Sequence, residues 1–461
     1  MKNILIRSGI SPLDTFDAAY MIDKNSIGGN VGNLIYAYSV YRTLMKEDTK
    51  IDPDYYSTDP NRADEINEKY DAYVIPLADA FRPDFIPLLR RYTKLIKKLK
   101  IPVFVIGVGL RAPFEPKLNE GFPFDKDVKA FVSAVLEKSN MIGLRGEITS
   151  QYLTRLGFRE GVDHTVIGCP SMYTFGPDLK IRETNITKDS MICVNSSMRS
   201  PENILKFISR GMEEYQNYYF IPQWLKEMTL VYTGSPSIPG NAENYPAKMS
   251  HPAYMNNRVR FFLNAPTWID FMKQADLSFG ARLHGNVTAT IAGTPSIIIP
   301  KDARMRELAE YHNLTRVWWN EITDETKLED LIESADFKAP EKVQAKNFEN
   351  FIRFLDKNKI PHIYQDGMNP TKITLEERLS EVELKPPITP VSGISMEEMV
   401  ARWEKYYPLA AEKEARRKKR QAKKHKREIA QKNKRIKYLE GTMNRKSVRL
   451  ALKTANMFRT K

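Results

Sequence analysis

Short apolar runs alternate with amphipathic, helix-length runs from the start of the chain to about residue 365. No other feature of the sequence restricts the fold as much. Apolar runs of three to five residues, bounded by Gly, Pro or charge, suit strands buried on both faces. Helical segments between them suit the crossovers of a parallel sheet. In the first half, strands are expected at Ile4-Leu5-Ile6, 73–77, 102–106, 141–144 and 166–168, and helices at 34–44, 85–99, 128–136 and 148–156. After a polar stretch at 176–189 the alternation restarts. Strands are expected there at 191–194, 230–232, 259–263, 275–279 and 295–299, and helices at 203–214, 268–274, 286–292, 327–332 and 343–355. A segment rich in Pro, Gly, Asn and Ser at 235–255 reads as a long loop over a cleft. The expectation is an α/β protein. Its two Rossmann-like, doubly wound domains, 1–175 and 190–365, face each other across that cleft.

The alternation ends near residue 365. A linker at 366–410 contains the extended spacer Lys385-Pro386-Pro387-Ile388-Thr389-Pro390, and a basic, helical or partly disordered tail occupies 411–461. The whole chain carries a formal charge of +14, but residues 411–461 hold 20 Lys+Arg against 4 Asp+Glu, a net of +16. The remaining 51 and 53 leave the α/β part at −2, so the basic character belongs to the tail. Ile429, Ile436, Met443 and Leu450 recur every seven residues, while Lys432 and Lys446 stand where a coiled-coil seam wants apolar side chains. Disorder is expected over 411–427. For the tail as a whole an anionic membrane surface is the favoured partner, with Val448, Leu450, Leu452, Met457 and Phe458 adding shallow insertion. Nucleic acid and self-association into a homo-oligomer are the competing readings. Cys169 and Cys193 sit in apolar runs and read as buried thiols. No Cys/His spacing suits zinc, so no metal site is expected. The N-terminus is too short and polar for a signal peptide, and no apolar run spans a bilayer. A cytoplasmic protein, peripheral on the inner face of the plasma membrane, is the expectation.

Chemistry concentrates at expected strand ends. Phe279-Gly280-Ala281-Arg282-Leu283-His284-Gly285 puts an Arg and a His between a strand and a helix, where ligands bind in open α/β sheets. The same spacing also suits an Arg and a His satisfied by backbone at a helix start. Lys301 and Arg304 follow the next strand, one helical turn apart. Arg145 ends a strand within Gly143-Leu144-Arg145-Gly146-Glu147. Glycine-rich loops around Gly29, Asn30, Gly32 and Asn33, and around Gly107 and Gly109, offer backbone N–H groups for an anion or for an acceptor. Each of these two loops reads equally well as a tight turn without a ligand. Several cations without a paired-carboxylate motif favour a small, multiply anionic substrate over glycosidase chemistry.

These residues resemble a known signature. Arg282-Leu283-His284-Gly285, the small residues Ala289 and Ala292, Gly293-Thr294-Pro295 and Asp302 resemble the polysaccharide pyruvyl transferase family. So do Leu144-Arg145-Gly146-Glu147, Ser150, Leu156-Gly157 and Gly168-Cys169-Pro170, and the loop Gly29-Asn30-Val31-Gly32-Asn33. The likeness runs over about residues 1–320. Asn33, Glu147 and Cys169 stand where the family usually has Asp, and Arg304 where many members have Lys. The resemblance implies a GT-B-like fold and transfer of pyruvate from phosphoenolpyruvate, as co-substrate and without a cofactor. The acceptor would be a sugar of a cell-surface glycan or its lipid-linked precursor, and the product a cyclic ketal. It further implies His284 as general acid/base and Arg145, Arg282, Lys301 and Arg304 as the donor site. A nucleotide-sugar glycosyltransferase on the same architecture is the alternative enzyme. A basic-tailed binding module for lipid or nucleic acid is the non-enzymatic one.

Overall fold

The computed structural model describes residues 1–240 and 243–459, with side chains described as far as Ala455. Asn241 and Ala242 of the expected loop fall outside the described residues, and Met457 and Phe458 of the tail fall outside the described side chains. Met1–Val400 form one compact unit and Ala401–Lys461 a second.

The first unit contains two parallel sheets. In the first, β1 (Asn3–Ile6), β2 (Lys50–Pro53), β3 (Ala72–Pro76) and β4 (Val103–Ile106) take the order β2-β1-β3-β4. β5 (Ile142–Leu144) and β6 (His164–Val166) form a parallel pair, and a bridge between Val108 and Leu144 continues the sheet toward them. In the second sheet, β7 (Ile192–Asn195), β8 (Tyr218–Phe220), β9 (Leu277–Gly280) and β10 (Ser296–Ile298) take the order β10-β9-β7-β8. All five residues of β3 and all four of β4, β7 and β9 are buried, as expected of strands covered by helices on both faces. Buried apolar side chains of this kind contribute about 1.5–3 kcal/mol each. With two parallel sheets in two lobes of one unit, the protein is GT-B-like.

Two expected strands are not strands. Residues 230–232 lie in the helix Leu225–Thr233. The Glu227 carboxylate accepts from the backbone N–H of Gln223 and Trp224, both at 2.7 Å, and Gly234 ends the helix at φ 79°. Capping at both ends outweighs the β propensity of Val231 and Tyr232. Residues 259–263 form only single bridges, Val259 to Phe220 and Phe261 to Ile388, at the sheet edge.

The expected boundaries at 365 and 410 also shift. The helix Glu341–Lys357 returns to the first lobe. Phe351 stacks on Tyr173 at 5.2 Å, Gln344 donates to the carbonyls of Met172 and Gly176, and Asn358 accepts from the N–H of Asn140 and Met141. By packing, the second domain therefore gives up the end of 190–365. The linker is tied down as well. Glu376 pairs with the buried Arg42 at 2.8 Å, and Ile388 bridges Phe261. In the tail, one helix runs Met396–Met443 through Pro408, and a second follows at Lys446–Arg459. The segment 411–427 is helical rather than disordered, because strong helix formers and i,i+4 pairs such as Glu414–Lys418 support it. Among the described residues, no helix is long and apolar enough to cross a membrane.

Candidate active site

A cleft of about 1050 Å³ lies where the carboxyl ends of both sheets converge. Arg7 follows β1, Asp79 follows β3, Arg111 follows β4 and Arg145 follows β5. From the other lobe, Ser197 follows β7, Gln223 follows β8, Arg282 follows β9 and Lys301 follows β10. Ile238 and Pro239 of the expected loop also line it. Lining cations outnumber lining carboxylates, which makes the cleft a positive pocket in a poorly solvated setting.

Arg145 is fully buried. Its Nε donates to the Gly107 carbonyl at 3.2 Å, and its guanidinium lies 5.4 Å from the centre of the Tyr36 ring. Both Nη groups lack a hydrogen-bond acceptor among the described residues. A buried guanidinium with free donors is costly by itself and suits an anionic guest.

Arg282 is the residue just before the helix Leu283–Ile291, and its side chain makes no capping hydrogen bond to it. Asn195, at the end of β7, accepts from its backbone N–H at 2.8 Å. Asn286, one turn on, donates to the carbonyls of Gly280 and Arg282. Two glycines permit this packing. A Cβ on Gly280, at φ +143°, would lie 1.8 Å from the Asn195 carbonyl oxygen, and one on Gly285 would lie 2.7 Å from Asn195 Cγ. The Arg282 guanidinium lies 4.7 Å from the Trp224 ring centre, and its Nε and one Nη lack acceptors among the described residues.

His284 sits between the lobes. Its ring packs on the start of the helix Gly32–Leu44, where a Cβ on Gly32 would come within 2.6 Å of Nδ1. Its Nε2 lies 3.9 Å from Cys169 Sγ. Burial, then Arg145, Arg304 and Arg282, drive its pKa down to about 3. The imidazole of the free protein is therefore neutral.

Lys301 donates to Ser200 Oγ. Burial and the neighbouring Arg282 lower its pKa to about 7. Arg304 is held by Asp79 at 3.2 Å and Asp302 at 3.4 Å. Asp79 also meets Arg82 at 3.3 Å and Arg111 at 3.9 Å. Burial opposes its charge, but Arg304, Arg82 and Arg111 more than offset that and hold its pKa below the usual range.

Arg145, Arg282, His284, Lys301 and Arg304 thus come together in one cleft. The glycine loops behave differently. Gly28, Gly29, Asn30 and Asn33 line the cleft, yet each backbone N–H from Gly28 to Asn33 donates within the protein: to Asn25, Ile27, Gln223 or Asn30. No backbone cradle for an anion forms there, and Gly32 instead makes room for His284. Gly107 and Gly109 pack around Arg145 and do not line the cleft. A Cβ on Gly109 would meet Glu307 Oε1 at 3.1 Å and Arg145 Cδ at 3.2 Å.

Sequence reading missed Asp79, Asn195, Trp224 and Glu307. Glu307 is 1 % exposed and caps the helix Glu147–Arg155 from the other lobe, accepting from Thr149 N at 2.9 Å and Thr149 Oγ1 at 2.9 Å. That helix begins two residues after Arg145, so Glu307 sets where Arg145 lies. Its one signal in the sequence is a carboxylate one turn after Arg304. Cys169 and Cys193 are both buried free thiols. Among the described residues, no group of three or more His, Cys, Asp or Glu is placed to hold a metal.

Fold and site define a GT-B-like protein with a cationic interlobe cleft. The model of one family, polysaccharide pyruvyl transferase, matches residues 30–302, more than half of the chain. The protein belongs to that family, which makes it a transferase of polysaccharide biosynthesis. Similar solved structures include a putative UDP-N-acetylglucosamine 2-epimerase from Listeria monocytogenes, at 11% identity over 78% of this chain and 99% of that one, TM-score 0.42. The UDP-GlcNAc 2-epimerase of Methanocaldococcus jannaschii in complex with UDP-GlcNAc and UDP is 16% identical over 77% and 99%, TM-score 0.40. Comparison with curated proteins gave no match.

Two tests follow from this geometry. Gly32→Ala forces the His284 ring aside, and turnover should fall about 10²-fold, the penalty of a ~1 Å misplacement. The melting temperature should change little, and a variant with parental kinetics would refute the contact. The second concerns Glu307, whose pKa burial raises from 4.5 to about 8. Folding favours its protonated form, so its contribution is fully present below pH 4.5 and is lost as pH rises through about 8. Glu307→Gln should therefore flatten the fall in melting temperature between pH 5 and 8, read by thermal melts across that range.

Proposed function

We propose that this cleft transfers the pyruvyl group of phosphoenolpyruvate to two hydroxyls of a sugar, in a cell-surface glycan or its lipid-linked precursor, and closes a cyclic ketal. The observation that carries the reading is the pair Arg145 and Arg282. Both are buried, with donors unpaired among the described residues, on opposite lobes around a neutral His284. A donor bearing a phosphate and a carboxylate offers one anionic group to each lobe, and guanidinium groups grip such groups in bidentate fashion. Lys301 and Arg304 add charge where the phosphate departs.

His284 begins neutral and takes the proton from the attacking sugar hydroxyl. The new C–O bond forms at the donor's C2. The His284 imidazolium passes that proton to the donor's C3, which becomes a methyl group, and the imidazole returns to its neutral form. Phosphate leaves with the electron pair of its C–O bond, and the second hydroxyl closes the ring and gives up its proton to the departing phosphate. Burial holds down the His284 pKa most, and the arginine charges lower it further; donor binding offsets the arginine part, so the imidazole is more basic with substrate than without it. No electrons change hands, and the chemistry calls for no redox cofactor.

Three outcomes are expected. Arg145→Met should abolish measurable phosphoenolpyruvate binding in calorimetry, a loss of at least ~10²-fold, without lowering the melting temperature, because it removes an unpaired buried charge. His284→Ala should stay folded, keep donor affinity and lose turnover ~10²–10⁴-fold. Donor binding at pH 7.5 should take up protons, because an incoming anion raises the pKa of Lys301 from about 7. Calorimetry in buffers of differing ionisation enthalpy measures that uptake, and Lys301→Met should reduce it. Phosphate release from phosphoenolpyruvate only when a glycan acceptor is present would support the assignment. Protection by a nucleoside diphosphate, with none by phosphoenolpyruvate, would favour a nucleotide-sugar glycosyltransferase instead.

A further inference from the structure

The helix Met396–Met443 carries two distinct faces over its second half. At 100° per residue, Ala422, Ile429, Ile436, Leu439 and Met443 fall within about 100° of arc, the width of an apolar stripe. Ile429, Ile436, Leu439 and Met443 are all exposed, between 44% and 51%. Lys423, Lys424, Arg427, Lys434 and Arg435 lie on the remaining circumference. Residues 411–461 carry a net +16, and three of their four acidic residues are in i,i+4 pairs with a neighbouring cation. His425 and Lys432 interrupt the stripe, and Gln421 and Glu440 lie at its two edges. The long stem of Lys432 allows its ammonium to reach past an apolar surface to water.

We propose that this helix is a membrane-surface element that lies flat on an anionic bilayer, with the Ile429–Ile436–Leu439–Met443 stripe facing the acyl chains and the lysines and arginines at the phosphates. Charge complementarity selects an anionic partner, and the stripe selects lipid among anionic partners. A nucleic-acid duplex satisfies the cations but leaves four apolar side chains in water. A second copy of the helix covers the stripe but brings like charge against like charge. The proposal stands on the tail alone and is independent of the chemistry assigned to the cleft.

Flotation of the full chain with vesicles tests it. Vesicles containing about one-third phosphatidylserine or phosphatidylglycerol should carry the protein at low salt, phosphatidylcholine vesicles should not, and added salt should release it. Ile429→Gln with Ile436→Gln removes apolar surface while keeping charge and helix propensity, and should cut partitioning at least tenfold. Lys423→Gln, Lys424→Gln, Lys426→Gln and Arg427→Gln together should do the same. Circular dichroism should show helix content retained in both. The proposal is overturned if neutral vesicles carry the protein equally well, or if the Ile429/Ile436 variant partitions like the parent. It is also overturned if the parent ignores anionic vesicles, whether it binds duplex DNA or RNA instead or sediments as a dimer.

Discussion

Everything at the centre of this protein depends on holding positive charge out of water before any anion arrives. Arg145 and Arg282 are buried with donors unpaired among the described residues, and Lys301 is deep enough to have lost much of its basicity. Such an arrangement opposes folding and must be supported by its surroundings. The support is specific. Asp79 gathers Arg304, Arg82 and Arg111, Asp302 steadies Arg304, and the Tyr36 and Trp224 rings lie beside Arg145 and Arg282. Preorganised charge of this kind favours the anionic state of a reaction without waiting for solvent to reorient.

The rest of the cleft is geometry in service of those charges. Absent side chains matter as much as present ones. Gly32 admits the His284 ring, Gly285 admits Asn195, and Gly146 lets Glu307 approach the helix that follows Arg145. Glu307 reaches from one lobe to cap a helix of the other, so the position of Arg145 is set by a residue more than 150 positions away. The two lobes are therefore coupled through the same helix end that presents an arginine to the cleft.

How much of this could be read from the sequence follows from the range of the forces involved. Buried parallel strands such as Tyr73–Ile75 and Val103–Ile106 announce themselves locally, because both faces must be apolar. The helix Leu225–Thr233 does not, because its caps, Glu227 and Gly234, outweigh a β-prone run. Arg145, Arg282, His284, Lys301 and Arg304 were legible because each stands in the turn or first helical turn that follows a strand, where this class of sheet builds sites. Asp79 and Trp224 were not, since a lone Asp after Leu77-Ala78 and a Trp before a helix carry no pattern of their own. The glycine loop at 27–33 stayed open between two readings for a related reason. Glycine at positive φ marks a turn, and a turn that satisfies its own N–H groups looks the same in sequence as one that offers them to a ligand.

The return of the helix Glu341–Lys357 to the first lobe has a bearing on synthesis. The loop ahead of β5 is secured by Asn358, and Tyr173 is covered by Phe351, so the first lobe lacks part of its own wall until more than 350 residues have left the ribosome. A lobe that must wait for its far end cannot close as an independent unit while the second lobe is still being made. The nascent chain carries an open apolar seam through most of its translation.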